Sequence, residues 1–575
     1  MQHTNHWKKT CWAAAACLAP ALASAQTAPA QGAVEPSGWS YSLSGNASVG
    51  TSIATSSVAP TPPANGGSLN GNDSASNYQS GDAFGRALKL HTSLSAKHAS
   101  GLGAVVSGML WYDDSLLHHG VPHGNNPNNY AAGQPLSDNG FTRMARFQGA
   151  ALLNAYLEDK HTLDQGSLSW RLGRQVIDRE SAFTFKGGLK DLDARNVAAM
   201  VRPGALPEEG TVPVWAATGR WAPQDNFRVD AFVQLATQAN VDAGCGTFFA
   251  SDDYSAPGCN RVFYARQLTE AQAVARQMFT SRAADQQPSN RPDQAGVSAF
   301  YTVPQWGTRF GAHFAHYHSR SGITSVIKGK ALGPTGNNQY FIEYPENKQQ
   351  FALSSATRIP QWNMVLANEV SVTSNQALQL NTTDLLNAFL AGSGPLGASA
   401  VAAPAHSVYH GYDRYRVVQA QTGFMKQWGA LLGASKAFTG AEFAVKHVNG
   451  LPDAGVRRYG RPEIVQACAA GANCNANDGY ITSTAWAYRI KVGLEFSRPM
   501  ASMVRLAPSL ALAHDVHGWS YDYNFVQGRK IWVLGLDAEW DNKVYASLSY
   551  LVNRGGDFNP GKGLDAAFVV VGMKF

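Results

Sequence analysis

The sequence predicts an all-β protein: a transmembrane antiparallel β-barrel of about 18 strands, within a range of about 16–20, with short periplasmic turns and long extracellular loops partly folded into the lumen. Three observations carry that expectation. The chain closes on FVVVGMKF, in which Phe575, Met573, Val571, Val569 and Ala567 share one apolar face of a strand. It opens with the basic, apolar and small-residue segments of a secretory signal. Charged residues make up only 15% of it, beside 56 Gly, 21 Tyr and 14 Trp, where average chains carry about 25% charge.

In chain order, residues 1–25 are the expected signal peptide. Lys8 and Lys9 supply the basic start, an alanine-rich run follows, and Ala23-Ser24-Ala25 supplies the cleavage site. Residues 26–40 follow as a short periplasmic segment and 41–575 as one barrel domain. No later stretch approaches the about 20 consecutive apolar residues of a membrane helix. Loss of the two lysines takes the formal charge from +6 to +4, and with no basic tract this excludes a nucleic-acid footprint. The sequence has no P-loop, dinucleotide-binding or zinc-spacing motif, so no cofactor or metal is expected.

Period-2 patterns place strands near 41–53, 85–97, 101–112, 148–158, 167–177, 212–222, 226–237, 295–304, 308–318, 347–358, 361–373, 414–428, 438–449, 483–497, 503–514, 529–540, 543–553 and 565–575. The clearest sets Trp486, Tyr488, Ile490, Val492, Leu494 and Phe496 against Arg489, Lys491, Gly493, Glu495 and Ser497. A soluble barrel would turn the apolar face inward. The aromatic strand ends, the leader and the terminal Phe575 reverse the assignment, with outer-membrane lipid outside and a polar lumen within. Arg489, Lys491, Glu495, Arg505, Asp537 and Glu539 are therefore candidate lumen-facing residues, and Phe575 is the candidate assembly signal for the barrel assembly machinery.

Counting back from Phe575, short and long connections alternate, as outer-membrane barrels require. The long external segments are 54–84, 113–147, 178–211, 238–294, 319–346, 374–413 and 450–482, and an even strand number returns both termini to the periplasm. TEAQAVARQMF at 269–279 has helical composition with Thr269 as N-cap. Two short-range cysteine couples, Cys245 with Cys259 and Cys468 with Cys474, lie in external loops of an exported chain and are expected to form disulfides.

LGRQVIDRESAFTFKGGL, RPGALPEEGTVPV, NFRVDAFVQL, AHYHSRSG, EYPENKQQFALSSATRI, NEVSVTSNQALQLNTTDLL and HDVHGWSYDYNFVQGRK, in that order, resemble the landmarks of a large proteobacterial outer-membrane family, domain of unknown function 1302. The resemblance covers nearly all of the mature chain. It implies an outer-membrane barrel of a Gram-negative bacterium, a periplasmic or lipoprotein companion and an inner-membrane exporter of the resistance-nodulation-division type. Traffic of hydrophobic or amphipathic molecules or lipids follows from that setting. Where the family has Trp-Gly-Glu, this chain reads Asp178-Arg179-Glu180.

A barrel this wide encloses water unless a loop fills it. The charge-dense segment 178–211, with Gly187-Gly188 as a flexible turn, is the candidate constriction through Asp178, Arg179, Glu180, Lys186, Arg195 and Arg202. HYHSR fits a hydrolase site poorly, because His318 and Ser319 are adjacent in sequence and would point to opposite strand faces, with no asparagine placed to orient a histidine. HDVHG reads as a polar strand end in preference to a metal or pH site, and NGNDSASN as a solvated loop in preference to a weak calcium site. The expected function is a non-enzymatic channel or conduit. An adhesin or structural barrel, and then a barrel lipid hydrolase, are the alternatives.

Overall fold

Alternation of apolar and polar side chains builds the strands, and the ring they form is closed. The computed structural model describes residues 38–58, 73–263, 270–461, 479–497, 504–556 and 558–575. The barrel strands are β1 (Trp39–Ala54), β2 (Ala83–His98), β3 (Gly103–Asp113), β4 (Gln148–Thr162), β5 (Ser167–Gln175), β6 (Val214–Gln224), β7 (Phe227–Gln234), β8 (Gln294–Val303), β9 (Thr308–Tyr317), β10 (Lys348–Ile359), β11 (Met364–Gln379), β12 (Tyr412–Trp428), β13 (Lys436–Asn449), β14 (Thr484–Ser497), β15 (Val504–His517), β16 (Arg529–Trp540), β17 (Val544–Gly555) and β18 (Ala566–Lys574). Each pairs antiparallel with its neighbours in this series, and β18 pairs with β1 to close an 18-stranded sheet. Among the described residues no helix is long and apolar enough to cross a membrane. The signal-peptide expectation lies outside the described residues.

At the seam, Gly45 N–H donates to Phe575 O at 2.7 Å and Phe575 N–H donates back to Gly45 O at 3.1 Å. A Cβ on Gly45 would lie 2.2 Å from Phe575 Cζ, so the missing side chain is the space that the terminal ring occupies.

The faces are inverted relative to a soluble protein. Ile490, Val492, Leu534, Leu536, Val569, Val571 and Met573 are each at least 40% exposed, while their neighbours Arg489 and Lys491 are buried on the inner side. That is the arrangement a bilayer stabilises, since an apolar exterior needs lipid contact and the lumen takes the polar groups. Short turns close one rim. Pro304–Trp306 and Pro360–Trp362 are 3-10 turns ended by Gly307 and Asn363 in the left-handed region.

At the other rim the loops fold on one another. Arg261–Phe263, Phe279–Arg282, Gln339–Glu343, Ile323–Ile327 and Val408–Tyr409 make a small five-stranded sheet across separate loops. Tyr78, Phe84, Phe141 and Phe248 belong to one apolar cluster, with Phe84 stacked on Phe248 at 4.3 Å. Cys245 and Cys259 form the expected disulfide, whereas Cys468 and Cys474 lie outside the described residues. A helix spans Glu270–Ala275, with Thr269 outside the described residues. Helix Thr382–Ala391 is capped by Asn381, whose side chain accepts from Asp384 N–H.

Candidate functional site

The loop between β5 and β6, residues 176–213, enters the barrel and touches opposite walls. Its first part lies on β9 to β14. The Arg179 guanidinium donates to Gln350 Oε1 at 2.7 Å. Ser181 Oγ and Leu189 N–H both donate to Glu369, each at 2.8 Å. Thr184 donates through its hydroxyl at 2.6 Å and its N–H at 3.1 Å to Glu442. Gly187 and Gly188 have φ of 84° and 57°, and a Cβ on Gly188 would sit 2.2 Å from Glu369 Oε1. The glycine pair therefore lets the backbone itself press against the wall.

The second part reaches β1 to β3. Lys89 donates to Gly204 O at 2.9 Å and pairs with Glu209 at 2.5 Å. Arg202 donates to Met144 O and Arg146 O at 2.6 and 2.9 Å and lies 4.6 Å from the Trp111 ring. Lys89 on β2 and Glu369 on β11 stand nine strands apart in a ring of 18, so one loop bridges the lumen from wall to wall.

On its extracellular side lies a cavity of about 1350 Å³, lined by this loop together with parts of 237–261, 282–288, 319–324 and 519–529. Nine cationic side chains and six carboxylates face it. Asp191 reaches Tyr317 OH at 2.8 Å and forms an ion pair with Lys348. Burial alone would raise the Asp191 carboxyl, but the Lys348 ammonium and the two hydrogen bonds hold it below its usual range.

The six loop residues singled out from sequence take different places. Arg179 and Arg202 are buried anchors. Asp178 accepts from Glu180 N–H at 2.7 Å. Glu180 lies among arginines of β6, β7 and β9, at 2.8 Å from Arg228, 2.6 Å from Arg309 and 3.6 Å from Arg220. Lys186 and Arg195 line the cavity.

Of the strand candidates, Arg489 is buried, donates to Thr184 Oγ1 at 3.0 Å and lies 4.1 Å from the Phe185 ring. Lys491 is 5.9 Å from the Phe438 ring. Arg505, Glu539, Glu495 and Lys574 form one charge cluster near the periplasmic end, with Arg505–Glu495 at 3.5 Å and Lys574–Glu539 at 3.0 Å. Asp537 is within electrostatic reach of Lys491 and Arg505.

Ser319 Oγ donates to Ser321 O at 2.8 Å, while His318 faces Asp293 at 3.2 Å, so this serine has no histidine base on its hydroxyl. Asp515 of HDVHG pairs with Arg529 at 2.6 Å, buried on both sides. Among the described residues no cluster of His, Cys, Asp or Glu suits a metal ion.

Sequence reasoning missed Glu369, Glu442, Gln350, Lys89 and Lys348, the wall residues that hold the loop. Each is a polar side chain on the inner face of a strand with an exposed sequence neighbour, Val370, Phe443, Phe351, Leu88 or Gln349. For Glu369, Glu442 and Lys89, a charge on the polar side of an alternating strand was the available signal; Lys348 and Gln350 sit in the polar run Lys-Gln-Gln, which carries no such pattern.

A closed, lipid-facing barrel with a loop across its lumen defines a porin-like outer-membrane β-barrel. Within that class the chain belongs to the family described as Protein of unknown function (DUF1302), which matches residues 10–575. Among solved structures it is similar to OccD3 (OpdP) of Pseudomonas aeruginosa, at 10% identity and TM-score 0.41 over 95% of this chain and 92% of that one. It is also similar to a BenF-like porin from Pseudomonas fluorescens Pf-5, at 9% identity and TM-score 0.42 over 93% and 98%. No curated protein matches the chain.

Proposed function

We propose that the protein is a non-enzymatic outer-membrane channel for small amphipathic solutes, and that the 176–213 loop sets its constriction. The observation that supports this most is the loop's span between Lys89 on β2 and Glu369 on β11, with a charged cavity outside it. Opposite charges on a fixed loop impose a local field, which orients a solute carrying both an apolar body and a charged head. Aromatic side chains Phe249, Tyr254, Tyr344 and Tyr521 face the same cavity and give the body a surface to lie on.

On this reading the barrel is the outer-membrane end of an envelope path. Its other members would be the periplasmic or lipoprotein companion and the resistance-nodulation-division exporter that the family resemblance implies. The test is reconstitution of the purified protein in planar bilayers, where the channel reading expects discrete, reproducible single-channel steps. A correctly folded, inserted barrel without such steps would reject it and favour an adhesin or structural barrel.

A further inference from the structure

On the reading that the barrel conducts, we propose that the floor of the outer cavity is a binding site for amphipathic organic anions, with a carboxylate head taken by Lys186, Lys190 and Arg195. All three belong to the bridging loop and line one cavity. Among the described residues, none of the three side chains forms an ion pair or a hydrogen bond.

The contrast with their neighbours is specific. Lys348 and Lys446 reach the same region, but Asp191 and Asp522 neutralise them. Those two carboxylates are ion-paired there, and, of the two, only the charge of Asp522 reaches Lys186, at a distance and without an ion pair. Asp242 is within electrostatic reach of Lys186 but makes no ion pair with it. Burial holds the Lys186 ammonium below its usual range, with Arg195 adding to the effect.

Half-buried cations whose counter-charges stand only at a distance, Asp242 and Asp522 for Lys186 and Glu442 for Lys190, are costly to hold in one place. The loop is nonetheless pinned so that all three line the same cavity. An incoming carboxylate would supply the missing acceptors as charge-assisted hydrogen bonds. The aromatic residues named above set the rest of the ligand, a ring or short aliphatic body. A naked inorganic anion would leave that surface unused, and a neutral amphiphile would leave the cations unpaired.

The test is calorimetric binding of benzoate to the full, detergent-solubilised barrel, with benzyl alcohol and benzylamine as neutral and cationic controls. The wild type should bind benzoate saturably and bind both controls at least about tenfold more weakly. The double variant Lys186→Gln/Lys190→Gln should lose at least about tenfold in benzoate affinity. Arg195→Gln is measured separately, so that a double variant failing to show heat-modifiable folding still leaves a comparison, and it should also weaken binding.

Equal affinity for benzyl alcohol, undiminished benzoate binding in the folded variants, or no benzoate binding by the wild type would each overturn the site. Conductance is recorded on the same preparations. A conducting barrel that ignores benzoate would reject the anion site alone, whereas a barrel that binds benzoate but never conducts would reject the channel reading alone.

Discussion

Truncation of Glu369 should release the bridging loop from its wall. This carboxylate accepts from Ser181 Oγ, Leu189 N–H and Gln421 Nε2, each at 2.8 Å. Bonds to a charged acceptor contribute about 1.5–3 kcal/mol each, but burying the carboxylate costs several kcal/mol, so the pin is worth far less than the gross sum. Glu369→Gln keeps the size and an acceptor for Leu189 N–H while removing the charge and its desolvation. Its net effect should stay within about 1 kcal/mol. Glu369→Ala leaves three donors facing a void. Ser181 and Gln421 can turn to other partners or to water, but Leu189 N–H cannot, and an unsatisfied buried donor costs about 1–3 kcal/mol. A net loss of about 2–3 kcal/mol would raise the detached-loop population about 30- to 150-fold. Single-channel recording reads this as the fraction of time in a larger-conductance substate, with Glu369→Gln near wild type and Glu369→Ala far above both. Indistinguishable dwell distributions in wild type and a correctly folded Glu369→Ala barrel would refute the pin.

Four further outcomes are expected. Val492→Arg places a cation on the lipid face beside exposed Ile490 and should destabilise the barrel by about 2–4 kcal/mol in reversible denaturant unfolding, so an unchanged midpoint would contradict the inside-out assignment. Gly45→Ala should displace the Phe575 ring, and deletion of Phe575 should remove its two backbone bonds to Gly45; both variants should lower heat-resistant barrel in outer-membrane fractions, and normal levels would count against the seam. Non-reducing peptide mass mapping should return the Cys245–Cys259 link, and we propose the same for Cys468 with Cys474, with cross-paired peptides as the opposing result. Because the folded Asp191 carboxyl titrates below its unfolded range, its anchoring contribution is present above about pH 4 and is lost only as pH falls through the depressed native value. The part of any acid-induced opening that Lys348→Met abolishes should therefore appear only below that range; if that part is centred near pH 6, Asp191 is excluded as the group.

The strands were legible because a bilayer outside and water inside impose a strict period of two, and lipid contact makes each error costly. The short turns were legible only as gaps between strands: the 3-10 turn Pro360–Trp362 takes Gln361 and Trp362 out of the expected strand 361–373, because Pro360 starts the turn and Asn363 ends it in the left-handed region. Gly493 shows where such reading stops. Its alternation puts it on the lumen side, as expected, yet a Cβ there would lie 2.3 Å from the Phe438 ring, so it is a covered position and not an open one. The bridging loop's charge density was visible in sequence, but its partners were not. Glu369 and Lys89 contact it from opposite walls, and contacts between residues 115 to 188 positions apart leave no local pattern. The small external sheet escaped for the same reason, since its strands are two to five residues long and pair across separate loops.

The central claim is that the loop sets the passage, and the most direct measurement replaces 186–196 with a short Gly-Ser linker and compares single-channel conductance and ion selectivity with wild type. That segment carries Leu189 and Asp191, which hold the loop to β9, β10 and β11, together with Lys186, Lys190 and Arg195, which face the cavity. The account predicts heat-resistant barrel at normal levels, a larger conductance and weaker selectivity. Unchanged conductance and selectivity in a folded replacement barrel would contradict it.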